Sequence, residues 1–375
     1  MKSITLLHPF SPNAIGLSKE DVLFSHSNPH SLAFKHLQNQ GYSVWVDYFD
    51  TTLLPHSKIS DGLKKRFWPV TNYILKSKNR WRKEESLWHL GYFYFFPTDL
   101  TIINMSGNLS HYTYRFANLL QNLGKPYIAM IGGLHVSNEP KDMEYYKKAH
   151  HIIVHTAIQK KTLKNTLGFE NLDIVVMPLG VDTTIFKPEN KPYIEVIELL
   201  YVGRISRLKQ IEIAIKSVSF CIKKGVNKIH MNIIGPISDL IYFEELKQLV
   251  KSLKLETFVT FKGSVAHYEL VPYYQNAHLL LLPSAHESFG MVIIEAMACG
   301  TPVIGLKGSG GPEEIIVNDL NGVLCNEIDF SEKVFANIDI DKQEKLSIRS
   351  RKDVIEKWSI EVTTKILNQS IKKVF

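Results

Sequence analysis

Cysteine is scarce in this chain. Only Cys221, Cys299 and Cys325 occur in 375 residues, and none stands in CxxC spacing. That excludes a disulfide scaffold and a cysteine-built zinc site, and it fits a reducing compartment. No apolar run approaches the roughly 20 residues of a membrane-spanning helix; the longest are strand-sized. The start, Met1 to His8, shows no cleavage-site pattern, so no secretory leader is expected. The net charge is +7, yet no nucleic-acid-binding motif accompanies it, and nucleic acid is not expected as a partner. Gly308-Ser309-Gly310-Gly311 lacks the following GK[ST] of a phosphate-binding loop. Asp339-Ile340-Asp341 precedes a charged helical stretch rather than following a core strand, and reads as a solvated loop. His151 and His155 flank Ile-Ile-Val with no carboxylate or cysteine cluster beside them. Neither a metal nor a cofactor is expected.

What is present is a globular α/β pattern. Hydrophobic residues make up 45% and charged residues 22%, enough for two substantial cores. Strand-like runs at 3–8, 42–48, 100–105, 127–131, 152–155 and 174–177 alternate with helical spacing. Pro29 is expected to break the helical pattern of residues 18–40. A linker rich in proline and charge follows at 187–193. The alternation then restarts, with strands at 198–202, 228–234, 258–261, 278–282, 303–306 and 322–325. The tail from 342 to 375 reads as helical throughout. The reading is two Rossmann-like doubly wound domains whose ligand crevices, at the carboxyl ends of the strands, face across an interdomain cleft. The domains are expected at 1–188 and 189–355, with a helix at 356–375 packing back on the first.

Residues 61–98 interrupt the first half. They hold Lys64, Lys65, Arg66, Phe67 and Trp68, then Lys76 to Lys83, then the aromatic run Trp88 to Phe96. A solvated helix beside a packed aromatic cluster would explain them. So would a surface for anionic lipid, with basic groups Lys64–Lys83 on the head groups and aromatics in the interface. The expected location is cytoplasmic, with peripheral attachment to the inner face of the membrane as the variant that this stretch suggests.

The stretch Leu281 to Cys325 carries the densest signal. Glu287 and Glu295 stand eight residues apart, Glu287 on a strand-to-helix loop and Glu295 about two turns into the helix. Between them the amides of Phe289, Gly290 and Met291 begin that helix, where N–H groups are unpaired and anions are favoured. The setting of Glu295 is apolar, so its carboxylate needs a donor. A polyol attached to a phosphate would suit all three features.

Here the chain resembles the retaining glycosyltransferases of family 4, with the GT-B fold. EAMACGTPVIG, GGPEEII and NGVL carry the resemblance, and the family's E-x7-E motif maps onto Glu287 and Glu295. The resemblance implies that Glu295 binds ribose and Glu287 the donor-sugar hydroxyls. It implies that Ser288, where the family often has glycine, and the amides of Phe289, Gly290 and Met291 lie against the sugar or distal phosphate. In GRISRLKQ it implies that Arg204 and Lys209 grip the diphosphate, although Gln210 stands where the family usually has glycine. It places His135, in GGLHVSN, near the donor sugar, and Gly16, in SPNAIGLS, where backbone approaches phosphate or acceptor.

The implied reaction moves a hexose or related sugar, with retention and without metal, from a nucleotide-diphosphate sugar to a glycan or lipid-linked acceptor. A nucleotide-sugar epimerase of the same fold and a non-catalytic sugar-nucleotide-binding subunit are the alternatives.

Overall fold

A computed structural model describes residues 1–15, 22–23, 28–72, 83–105, 109–133, 136–189 and 196–375. The chain divides into two compact units. One comprises Met1–Leu179 with Ile360–Phe375, the other Gly180–Ser359.

The first unit is built on an eight-stranded sheet. Its strands are β1 (Ser3–His8), β2 (Ser43–Asp50), β3 (His56–Ser60), β4 (Leu63–Pro69), β5 (Leu100–Met105), β6 (Tyr127–Ile131), β7 (Ile152–Val154) and β8 (Ile174–Val176). The order is β3-β4-β2-β1-β5-β6-β7-β8, parallel except for β3 against β4. Successive residues of β1 feed opposite faces: Leu6 packs in one core and Leu7 in the other. Ile360, Leu367 and Ile371 of the last helix complete the Leu6 face.

Three sequence expectations are corrected in or beside this unit. Pro29 does not break a helix; it opens one, Pro29–Gln38, with Asn28 capping the amides of His30 and Ser31. The stretch from Leu63 is not a solvated face but strand β4. Asp61 and Gly62, with φ of 52° and 78°, make the tight turn of the β3–β4 hairpin. Lys65, Arg66, Phe67 and Trp68 are consequently buried, and Lys65 and Arg66 cannot meet lipid head groups. Arg66 donates to both oxygens of the buried Asp47 carboxylate, at 2.6 and 2.8 Å, and Lys65 donates to the Leu23 carbonyl. Residues 73–82, with Lys76 to Arg82, lie outside the described residues. The tail is two helices, Ile340–Lys357 and Ile360–Lys372. They part at Trp358, whose carbonyl accepts from the Val181 amide at 3.0 Å and whose ring meets Phe289 edge-on.

The second unit is a six-stranded parallel sheet of β9 (Ile197–Val202), β10 (Ile229–Ile234), β11 (Val259–Gly263), β12 (Leu279–Leu282), β13 (Val303–Leu306) and β14 (Val323–Cys325). The order is β11-β10-β9-β12-β13-β14. From β9 the sheet extends through β10 to β11 on one side, and through β12 and β13 to β14 on the other. The switch point therefore falls between β9 and β12, and a crevice opens there at the carboxyl ends.

Candidate functional site

The loops after β9, β12 and β13 converge at that switch point. Gly203 and Arg204 follow β9. A short 3₁₀ turn, Arg207–Lys209, then leads into the helix Ile211–Lys223. Gln210 joins the two in the left-handed conformation, φ 47° and ψ 44°. That is a backbone shape glycine adopts freely and other residues adopt at a cost. The glycine-type turn thus persists with a glutamine in it.

Lys209 donates to a carboxylate oxygen of Glu287, across from the loop after β12. Both side chains are about 15% exposed or less, 14% and 15%. Ser284 also reaches Glu287, at 3.4 Å. The guanidinium of Arg204 is exposed and makes no hydrogen bond or ion pair among the described residues.

The loop bearing Glu287 is stitched to the loop after β13. Its amide donates to the Ser309 carbonyl at 2.7 Å, and the Gly311 amide donates to its carbonyl at 2.9 Å. A Cβ on Gly311 would stand 2.2 Å from the Phe289 carbonyl oxygen, so only glycine permits this approach. Gly290, φ 96°, then turns the chain into the helix Met291–Ala298. The amides of Phe289, Gly290 and Met291 donate no hydrogen bond among the described residues. Ser288 is exposed beside them, while Phe289 is buried against Trp358.

Glu295 sits inside that helix and is 3% exposed. It does not wait for a ligand to satisfy it. His267 lies 2.8 Å from one oxygen, and the Tyr274 hydroxyl donates to the other at 2.7 Å. Burial and the adjacent Glu295 charge hold the Tyr274 hydroxyl proton well above its ordinary range. His267 and Tyr274 escaped the sequence reading because nothing local in SVAHYELVPYYQN marks either as a carboxylate partner. Gly16 and His135 lie outside the described residues.

Residues 182–352 match the family model for glycosyl transferases group 1. This part of the chain is similar to that family. The group 1 region falls within the second unit and contains Arg204, Lys209, Glu287 and Glu295. A D-inositol 3-phosphate glycosyltransferase of Arthrobacter sp. (strain FB24) is 31% identical over 167 residues, 42% of this chain and 39% of that protein. A mannosylfructose-phosphate synthase of Agrobacterium fabrum is 31% identical over 172 residues, 42% of this chain and 38% of that protein. The matches thus span about two fifths of these relatives' length. Fold likeness reaches further than sequence likeness. A sucrose-phosphate synthase from Thermosynechococcus elongatus superposes with a TM-score of 0.76 at 18% identity, covering 100% of this chain and 99% of that one. The fold is GT-B: two Rossmann-like units, the second carrying the group 1 motifs.

Proposed function

We propose that the chain is a retaining glycosyltransferase that moves a hexose or related sugar from a nucleotide-diphosphate sugar to an acceptor hydroxyl. The observation that carries this is the Lys209–Glu287 pair at the β9/β12 switch point, beside the unpaired Arg204 and the free amides at 289–291. Cations and amides suit the diphosphate; carboxylates suit hydroxyls. The similarity of the group 1 region to a D-inositol 3-phosphate glycosyltransferase supports the same reading.

In the proposed reaction the acceptor oxygen bonds to the anomeric carbon on the face that the diphosphate leaves. The anomeric carbon–oxygen bond to the diphosphate breaks, and the acceptor proton passes to the departing phosphate oxygen. Arg204, Lys209 and the amides of Phe289, Gly290 and Met291 would hold the charge that develops there. Two cations at that position would make a metal unnecessary. Glu287 and Ser288 would meet the donor sugar, and Glu295, held by His267 and Tyr274, the ribose. His135 is assigned to the donor sugar and Gly16 to close backbone approach, both from sequence alone.

Surface glycan or glycolipid synthesis is the proposed setting, with membrane contact through the helix Leu87–Phe95. Its His89 and Phe93 are buried, while Trp88, Tyr94 and Phe95 are 50%, 58% and 72% exposed. Trp and Tyr favour the lipid–water boundary, and five basic residues, Lys76, Lys78, Arg80, Arg82 and Lys83, precede the helix in sequence. Among the described residues no helix is long and apolar enough to cross a membrane.

The deciding experiment measures donor hydrolysis and transfer with UDP-, GDP-, ADP- and dTDP-sugars. Release of sugar from one donor class, stimulated by a glycan acceptor, is expected. Donor turnover with no class of nucleotide sugar would sink the proposal.

A further inference from the structure

Two helices of the first unit wall a cleft that the proposed reaction does not use. One wall is a face of the helix His111–Asn122 carrying His111, Tyr114 and Arg115. The other is a face of the helix Pro140–Lys148, where Lys141, Glu144, Tyr145 and Lys148 follow i, i+3, i+4, i+7 spacing. With Tyr127 of β6 they line a volume of about 250 Å³. That is below the roughly 300–1,000 Å³ of sites for drug-sized ligands. The cleft suits a small group and not a nucleotide sugar.

Its lining has an excess of positive charge. Arg115, Lys141 and Lys148 stand against a single carboxylate, Glu144. Lys148 is paired with that carboxylate, and Arg115 donates to Glu85 at 2.8 Å. The exposed Lys141 ammonium makes no hydrogen bond or ion pair among the described residues.

Three tyrosines also line the cleft, and two of their hydroxyls are committed. Tyr114 donates to Asp142 Oδ1, and Tyr127 donates to the Tyr145 carbonyl. The Tyr145 side chain is 3% exposed, and its hydroxyl has no hydrogen-bond partner. Burial and the neighbouring tyrosines hold its proton well above the ordinary range, so the group is a neutral O–H donor. Buried polar groups are normally paired. Here an unpaired donor and an unpaired cation stand four residues apart on one helix face, the spacing at which side chains are neighbours. A phosphate group answers both, because its oxygens accept hydrogen bonds and its charge offsets the cationic excess.

The rim of the cleft also meets the segment leading into the helix Leu87–Phe95. Glu85, two residues before that helix, accepts from Arg115 and lies 2.7 Å from His111 Nδ1. Two sources can therefore deliver the phosphate: a soluble ion or ester, and the head group of an anionic lipid.

We propose that the cleft between the helices His111–Asn122 and Pro140–Lys148 binds a phosphate group, with Lys141 as the free cation, Arg115 and Lys148 as flanking charge, and the Tyr145 hydroxyl as a donor. This binding does not depend on the glycosyltransferase reading.

The test uses the full chain labelled with 3-fluorotyrosine, the Tyr145 ¹⁹F signal being assigned by its loss in Tyr145→Phe. A signal resolved at Tyr145 separates this cleft from the anion site proposed around Arg204. The probes are inorganic phosphate, glycerophosphoglycerol (the deacylated head group of phosphatidylglycerol), and sodium chloride at matched ionic strength. At least one of the two phosphate compounds should move the Tyr145 signal with saturation, and chloride should not. Tighter binding of inorganic phosphate names a soluble source, and tighter binding of the diester names the lipid head group. Lys141→Gln should leave thermal unfolding unchanged, because the side chain is exposed. It should weaken the effective probe about tenfold, the scale of losing one charge-assisted hydrogen bond. Lys141→Arg should recover most of the affinity. No saturable shift with either phosphate compound, an equal shift with chloride, or undiminished binding by Lys141→Gln would each overturn the proposal.

Discussion

Lys209 and Glu287 are joined across the switch point of the second sheet, 78 residues apart in sequence. The pair holds a cation in place at the carboxyl ends of β9 and β12, where the proposed diphosphate would sit. Removing Lys209 would remove that cation and leave Glu287, among the described residues, with only the 3.4 Å contact to Ser284. Lys209→Ala and Arg204→Ala are each expected to lower turnover about 10²–10³-fold, the usual scale for losing a group that stabilises developing charge. Arg204 is exposed, so its loss should leave thermal unfolding unchanged. Full transfer activity in the double variant would refute the diphosphate assignment.

Gln210 occupies a left-handed turn at φ 47°. A side chain there costs about 1 kcal/mol that glycine avoids. Gln210→Gly should therefore raise the stability of the second unit by about 1 kcal/mol, less the added entropy of the unfolded chain. Urea unfolding followed by the fluorescence of Trp358 reads this directly. A drop in midpoint would mean that Gln210 makes compensating contacts.

Glu295 has both oxygens engaged by protein donors. Tyr274→Phe leaves one buried carboxylate oxygen without its partner, with a penalty of about 1.5–3 kcal/mol for a bond to a charged group. Nucleotide affinity should fall too, because the carboxylate loses its fixed orientation. Calorimetry with UDP, GDP and ADP, alongside unfolding, separates the two effects. Unchanged unfolding would contradict the hydrogen bond itself.

The ease of reading differs between the two units for a physical reason. Around Glu287 the strand end, loop and helix are contiguous, so spacing alone places Glu287 and Glu295 on their elements. The partners of Glu295 arrive from His267 and Tyr274, 28 and 21 residues away, and only packing brings them together. In the first unit Arg66 misleads because charge reads as solvent exposure. Its neutralising partner, Asp47, lies 19 residues earlier on the neighbouring strand, and parallel pairing of Asp47 with Arg66 is a tertiary fact. The local clue was Asp61-Gly62, a strong hairpin signal within the basic run. Pro29 shows the opposite case: its meaning turns on Asn28 before it, a cap that makes proline a helix opener.

Acid should destabilise the first unit. His8 and His155 are held at about 3 and about 4 by burial, below the ordinary 6.5 of an unfolded histidine. Between those values the unfolded chain binds protons that the folded one refuses, so stability falls as pH falls below about 6.5. At pH 5 each ring would withdraw about 2 kcal/mol relative to pH 8. Urea midpoints at pH 8 and pH 5 should differ accordingly, and His8→Phe should remove its share of the difference. Equal pH dependence in that variant would show that His8 titrates normally in the folded chain.

The helix Leu87–Phe95, proposed as the membrane contact, is anchored in the first unit by its buried side. His89 contacts Asp47 Oδ2 at 3.2 Å, and the Tyr112 hydroxyl bonds its other ring nitrogen. With Asp47 also held by Arg66, the buried side of the helix Leu87–Phe95 is pinned by charge and aromatic packing alike. Its outer side presents Trp88, Tyr94 and Phe95 without a charged residue among them. Replacing Trp88 and Phe95 with serine removes apolar area from that side and leaves His89 and Phe93 in place. The double variant should sediment with anionic phosphatidylglycerol vesicles at least about tenfold more weakly, since two aromatic side chains leaving an interface forfeit well over 1.4 kcal/mol. Its thermal unfolding should stay within about 1 °C of the parent, because neither side chain is in the core. Equal sedimentation of the two proteins would remove this helix as the membrane contact and turn attention to the basic residues before it.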